Sequence, residues 1–184
     1  MAKKVLVIVG STRKDSFNKQ VAEVAAEQLG AGAEVSFLDY SDVPFVNQDT
    51  EFPAPEAVAR VREAVMAADG LWIQTPEYNF SYPGVVKNLL DWLSRPLKAG
   101  DFASGTAIAG KKTAICGVAG KSAAAGSRAK LRELLTFIKA EVMEEETGIV
   151  LNPEAFTQGK LILSEESKAA LRAQTEAFLK FIQD

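Results

Sequence analysis

Ser11, Thr12, Arg13, Ser16 and Asn18 crowd into one short segment, Gly10 to Asn18, which reads GSTRKDSFN. Hydroxyls, an amide and a single arginine are groups that hold a phosphate. The polar groups hydrogen-bond its oxygens, and a guanidinium matches both their charge and their geometry. The flanking residues place the segment. Lys4 to Val9 (KVLVIV) is a β-branched run that is apolar on both faces. That is the pattern of a strand in a parallel sheet covered by helices on both sides. Phe17, Val21, Val24, Ala25 and Leu29 then recur at helical period. The segment thus spans the C-terminal end of a first strand and the N-terminus of a first helix. Ligands of open α/β sheets bind at that edge. A helix N-terminus there adds unpaired N–H groups and about half a positive charge. The same residues also suit an ordinary strand-to-helix turn with a serine or asparagine cap. Taken alone, the segment leaves both readings open.

Absent motifs narrow the phosphate. The chain has no G-x-x-x-x-G-K-[ST], which argues against a nucleoside triphosphatase. It has no G-x-G-x-x-G, so the dinucleotide fingerprint is missing. A loop lined with hydroxyls in place of glycines is the flavodoxin-type way to hold a monoester phosphate, and it points to FMN. Histidine is absent altogether. This excludes Ser-His-Asp and Cys-His catalysis and histidine-ligated metals. Any chemistry must come from a cofactor or from other side chains, and a flavin carries its own.

Composition sets the wider limits. At 184 residues the chain is expected to form a single domain over residues 1–184. Its net charge of −3 favours neither nucleic acid nor an anionic membrane. The apolar run from Val5 to Val9 is too short for a signal-peptide core, and no later segment is long enough to span a bilayer. Cys116 is the only cysteine, which excludes an intrachain disulfide. Together these predict a cytoplasmic protein.

Strand and helix patterns alternate along the chain. Strands are expected at Lys4–Val9, Glu34–Leu38, Leu71–Thr75 and Lys112–Val118, with a fifth somewhere between Ala140 and Val150. Val58, Val61, Val65 and Ala68 mark a second helix, and Val86, Leu89, Leu90 and Leu93 a third. Leu131, Leu134, Leu135 and Ile138 mark a fourth. Ser164 caps a last helix whose apolar face is Leu171, Thr175, Phe178, Leu179 and Ile182. Successive βα units predict a flavodoxin-like, doubly wound, five-stranded parallel sheet of order 2-1-3-4-5, with helices on both faces. The loops after strands one, three and four then share one crevice, at the switch point where such folds hold FMN.

The loop after strand three is the second motif. Pro76-Glu77-Tyr78-Asn79 begins a sharp turn, because a residue before proline stays extended. Its amides, Tyr78 and Asn79 suit a planar ring, but an ordinary proline-bounded loop reads the same way. The two motifs together are more specific. GSTRKDSFN and PEYNFSYPGVVKNLLDWLSR resemble the NADPH-dependent FMN reductase family, which includes bacterial quinone and chromate reductases. Both family patterns, G-S-x-R-x-x-S-x-N and P-E-Y-N-x-S-x-P-G-x-x-K-N-x-x-D-W, match without a break. The resemblance implies noncovalent FMN, NADPH or NADH as donor, small-molecule acceptors such as quinones, azo dyes, flavins or chromate, and assembly as a homodimer or homotetramer. It places Ser11, Arg13, Ser16 and Asn18 at the phosphate, with Phe17 contributing its backbone. It places Pro76, Glu77, Tyr78 and Asn79 along the isoalloxazine and ribityl chain. The third loop, GVAGKSAAAGSR, departs from the glycine pair of many relatives. That leaves Gly120, Lys121 and Ser122 as weaker candidates for the pyrimidine edge.

Other features read as bland. Glu144-Glu145-Glu146 is expected to be a solvated acidic face, and Cys116 a buried small residue without a redox role. Phe80, Tyr82 and Trp92 fit either a core or a subunit interface beside the flavin. One open flavin face serving donor and acceptor in turn predicts ping-pong kinetics. The competing functions are an electron-carrier flavodoxin without NAD(P)H oxidation and a flavin-free interaction domain. Carriers of the first kind are usually strongly acidic, unlike this chain.

Overall fold

The computed structural model describes residues 2–101 and 103–183. Strands β1 (Lys3–Val9), β2 (Ala33–Phe37), β3 (Gly70–Thr75), β4 (Lys112–Ala119) and β5 (Glu141–Val150) form one sheet. The order is β2-β1-β3-β4-β5, and every neighbouring pair is parallel. This is the flavodoxin-like order, with the reversal of winding between β1 and β3. Helices α1 (Phe17–Leu29), α2 (Glu56–Ala67), α3 (Gly84–Leu93), α4 (Ala125–Phe137), α5 (Ala155–Gln158) and α6 (Glu165–Phe181) make the crossovers and the C-terminus. The four-residue α5 and a 3₁₀ turn at Gln48–Thr50 left no periodic signal in the sequence.

Alternation along the strands explains the two layers. Side chains of a strand point to opposite faces in turn. Val5, Val7, Trp72, Ala114, Cys116 and Val118 enter one core, with Val21, Ala25 and Leu29 of α1 and Leu171 and Phe178 of α6. Leu6, Ile8, Leu71, Ile73 and Ile115 enter the other, with residues of α2, α3 and α4. A continuous apolar run therefore feeds two cores at once.

The fold finishes its helices in ways that matter at the crevice. Ser16 precedes α1 and its hydroxyl accepts from the Lys19 N–H at 3.4 Å, a long bond. Ser164 caps α6 by accepting from Ser167 N–H at 3.1 Å, as its position predicts. Ala124 precedes α4 in the left-handed region (φ 58°) and has no side chain that can cap.

Trp92 is fully buried, and its Nε1 donates to the Pro44 carbonyl at 2.7 Å. It is buried within the chain, against Pro44 and Arg62 of α2, and so is not free for a subunit contact. Tyr82 packs half-buried on the second core. Glu146 departs from the expected solvated face. Glu144 and Glu145 are exposed, but Glu146 is paired with Arg128 (2.9 Å) and Arg132 (2.6 Å) of α4. A register shift in the β4–β5 pairing between Thr113 and Ile115 redirects the strand there.

Candidate functional site

The C-terminal ends of β1, β3 and β4 open into a cavity of about 170 Å3. It gathers Ser11, Arg13, Ser16, Phe17, Asn18, Pro76, Glu77, Tyr78 and Gly120. Asn79, Lys121 and Ser122 lie outside its lining. A larger groove of about 670 Å3 opens on the β2 flank, shares only Ser11 with the first, and is walled by Phe37, Leu38, Val43, Phe45 and Val85. Polar groups converge on the smaller cavity, and the topological switch point is there, so the site belongs to it.

Loop one is tied down at both ends and open in the middle. Gly10 N–H donates to the Gln74 carbonyl at 2.8 Å. A Cβ at Gly10 would meet Val86 Cγ2 at 2.9 Å, so only glycine lets the loop pass this close to α3. Tyr40 Oη donates to the Val9 carbonyl at 2.7 Å and fixes the end of β1. Between these anchors and α1, among the described residues, no protein acceptor takes the backbone amides of residues 11–18. Ser16, Phe17 and Asn18 are buried. Buried N–H groups without acceptors are rare, and at a helix N-terminus they make an anion cradle.

Asn18 serves the site from behind. Its Nδ2 donates to the Val118 carbonyl (3.2 Å), and its Oδ1 accepts from Val118 N–H (3.2 Å) and Gln74 Nε2 (3.1 Å). Three protein hydrogen bonds anchor the side chain and use one of its two Nδ2 hydrogens. Asn18 lines the cavity with its side chain anchored in this way. Arg13 lies exposed with its guanidinium 4.4 Å over the Phe17 ring. The exposed ring of Phe156 meets Phe17 edge-on at 5.2 Å and closes the outer wall with Leu151.

Loop two is a tight hairpin. Tyr78 N–H donates to the Ser81 carbonyl (2.9 Å) and Ser81 N–H returns the bond (3.0 Å). The central residues Asn79 (φ 51°) and Phe80 (φ 59°) are both left-handed. Asparagine tolerates that region, but the second position normally takes glycine. Phe80 is 74% exposed, so its ring is held outward in a strained conformation. Pro76 is buried, and Tyr78 is exposed at the cavity mouth.

Glu77 turns away from loop two toward loop three. Ser122 Oγ donates to its Oε1 at 2.7 Å, and Ser127 N–H to its Oε2 at 3.0 Å. The Ser122 hydroxyl above all, then the amides of Ser127 and Gly126 and the charge of Arg128, hold its carboxyl below the ordinary glutamate value. Desolvation opposes this and loses. Below that clip, Thr75 Oγ1 and Ser127 Oγ share a buried hydrogen bond of 2.9 Å. Ser122 is therefore engaged by Glu77. Lys121 is exposed, and Gly120 has open space where a side chain would be.

Cys116 is fully buried, and burial pushes its thiol up to about 12, so no thiolate is available for redox chemistry. Sequence reasoning missed Leu151 and Phe156. A phenylalanine in the polar loop after β5 was their one visible sign, because that loop also ends at the C-terminal edge of the sheet.

The comparisons with known proteins give the family. A family model described as NADPH-dependent FMN reductase matches residues 3–152. The chain is 34% identical over 186 residues to a 2-hydroxy-1,4-benzoquinone reductase of a Burkholderia species, covering 100% of this chain and 98% of that protein. It is 36% identical over 192 residues to a quinone reductase of Escherichia coli K12, covering 97% and 95%. Among solved structures, a flavoenzyme NAD(P)H:(acceptor) oxidoreductase of Paracoccus denitrificans superposes with a TM-score of 0.85 at 32% identity, covering 98% and 97%.

Proposed function

The chain belongs to the NADPH-dependent FMN reductase family and is an enzyme of the FMN reductase and quinone reductase type; we propose that it passes electrons from NAD(P)H through noncovalent FMN to small aromatic or metal-oxyanion acceptors, quinones first. The observation that carries this reading is the row of unpaired amides at residues 11–18, on the switch-point cavity. Its donors suit the oxygens of a phosphate.

The residues present fit FMN. The amides of loop one and α1, with Ser11, Ser16 and Arg13, would hold the phosphate. A cavity of about 170 Å3 is smaller than the ~300–1,000 Å3 that usually encloses a whole small ligand. It suits the phosphate and ribityl chain and leaves the ring on the open crevice, along Pro76, Glu77, Tyr78 and Asn79. Gly120 leaves room for the ring edge, and Lys121 and Ser122 flank that room. Bound there, FMN would supply the hydride-accepting and electron-donating chemistry. The protein binds, orients and shields. Neither histidine nor a reactive thiol is needed, which agrees with the missing histidines and the inert Cys116.

One accessible ring face serves donor and acceptor alternately, which gives a ping-pong rate law. A homodimer or homotetramer is part of the same proposal. Trp92 cannot contribute to the contact. Exposed apolar groups near the site include Phe80, Tyr78 and Phe156, with Phe37, Phe45 and Val85 on the neighbouring groove. Among the described residues no helix is long and apolar enough to cross a membrane; a cytoplasmic location is part of the same proposal.

The test is steady-state kinetics of FMN-loaded protein with NADPH and NADH against a quinone series. Parallel double-reciprocal lines are expected. A protein that takes up FMN yet oxidises neither nucleotide would be an electron carrier, and one that fails to take up FMN would end the proposal.

A further inference from the structure

Helices α1 and α4 both begin at the crevice, and α4 begins without a cap of its own. Its N-cap residue is Ala124, and the two residues before the helix, Ala123 (φ 48°) and Ala124 (φ 58°), are both left-handed without being glycine. Left-handed backbone costs about 1–2 kcal/mol per residue for an L side chain. Such a turn persists only where other contacts over-determine it. Some of those contacts are local, with Ala123 N–H donating to the Gly120 carbonyl (3.1 Å) and Arg128 Nε to the Ala123 carbonyl (3.4 Å), and others come from a different loop. The Glu77 carboxylate accepts from the Ser127 N–H at 3.0 Å and from Ser122 Oγ at 2.7 Å. It lies 3.1 Å from where a Cβ at Gly126 would stand. A carboxylate at a helix N-terminus satisfies an orphan amide and meets the positive end of the helix dipole.

We propose that Glu77 is the cap of α4 supplied in trans, and that this clip is a positioning device. It holds the Ala119–Gly126 loop in its strained form, so that the wall of the crevice is built before the cofactor arrives. This goes beyond the family reading, in which Glu77 is one residue along the flavin; it rests on the FMN reading only for the consequence at the cofactor. Three features follow from it. Ser122 is directed to Glu77 and not to a ligand. The N-terminus of α4 is neutralised, so an anion is steered to α1. A fixed negative charge lines the cavity, and it opposes negative charge building up on a reduced flavin.

The experiment compares wild type, Glu77→Ala, Glu77→Gln and the milder Ser122→Ala. Hydrogen exchange is first measured on apo-protein, where no flavin takes part. In Glu77→Ala the amides of residues 126 and 127 are expected to exchange about tenfold faster or more, because a charge-assisted bond is lost. Glutamine still accepts from Ser127 and donates to Ser122, so Glu77→Gln should restore protection to within about threefold. FMN titration by fluorescence should show the same order, with Ser122→Ala between the extremes. The reduction potential of bound flavin should rise in Glu77→Gln, because the clip stays and its charge goes. Unchanged exchange in Glu77→Ala overturns the clip. Faster exchange with unchanged FMN affinity overturns its role at the site, as does failure of glutamine to rescue. If wild type binds no FMN, the functional reading falls, and the exchange data alone then judge the clip.

Discussion

Helix α1 and helix α4 both start at the C-terminal edge of the sheet, one on each side of β3, and they treat their free amides differently. At α1 the capping serine is at the end of its reach, 3.4 Å from the Lys19 amide, and among the described residues no protein acceptor takes the N–H groups of residues 11–18. At α4 the protein fills the same kind of end with its own carboxylate from Glu77. The first end is rigid but vacant of protein acceptors. The second is strained but closed. A phosphate brings its own acceptors, so it gains most at α1, where nothing must be displaced. The difference shows that an anion site is recognised less by the presence of a helix N-terminus than by whether the chain has already satisfied it.

The largest expected effect attacks the rigidity of the first end. Asn18→Ala strands the Val118 amide and the Gln74 side-chain amide in the interior. Two unsatisfied buried donors at about 1–3 kcal/mol each predict a loss of about 2–6 kcal/mol in urea unfolding. A change below about 0.5 kcal/mol would mean that the Asn18 network is replaced by water. The next effect tests which end takes the anion. Arg13→Ala should weaken FMN roughly ten- to hundredfold by fluorescence titration, the worth of one charge-assisted hydrogen bond. Riboflavin, which lacks the phosphate, should bind both proteins alike. Equal loss for both ligands would move Arg13 from the phosphate to the ring.

A smaller effect of opposite sign probes the strain at the second end. Ala123→Gly removes the left-handed penalty at φ 48° and should stabilise the fold by about 1 kcal/mol. A lower melting temperature in this variant would show that the Ala123 methyl packs more than it strains. The smallest effect is electrostatic. Glu77 is depressed below its ordinary 4.5 in the folded protein. Its stabilisation is therefore complete above pH 4.5 and is lost as pH falls through the lower folded-state value. Wild type should melt higher than Glu77→Gln near neutral pH, and the gap should shrink as pH falls below 4.5 through the lower folded-state value. A constant gap across that range would remove the charge from the closure of α4.

Much of this was legible in the chain. The runs KVLVIV, LWIQT and KTAICGV are apolar on both faces because each feeds two cores, and that alone announces a parallel sheet between helical layers. The spacing of Val86, Leu89, Leu90 and Leu93 gives α3 to within a residue or two. GSTRKDSFN and PEYNFSYP were placed at one crevice by strand order alone. The short α5 escaped because one turn of helix has no period to read. The left-handed pairs Asn79-Phe80 and Ala123-Ala124 escaped because neither carries the glycine that normally signals them. The same is true of Glu146, where three glutamates in a row gave no hint that one would meet Arg128 and Arg132.

The sequence by itself determined the alternation of elements, the sheet they build and the chemistry of the donors at its edge, because these depend on residue types and on spacing within one segment. Only the tertiary structure decided how those donors are used. It anchored the Asn18 side chain with contacts from β3 and β4, left the amides of residues 11–18 without protein acceptors among the described residues, buried Trp92, brought Phe156 to Phe17, and turned Glu77 into the cap of a helix that starts nearly fifty residues later. Each of these outcomes joins groups far apart in the chain. A hydrogen bond has a reach of about 3 Å, and which groups come within it is set by packing, which no local pattern encodes.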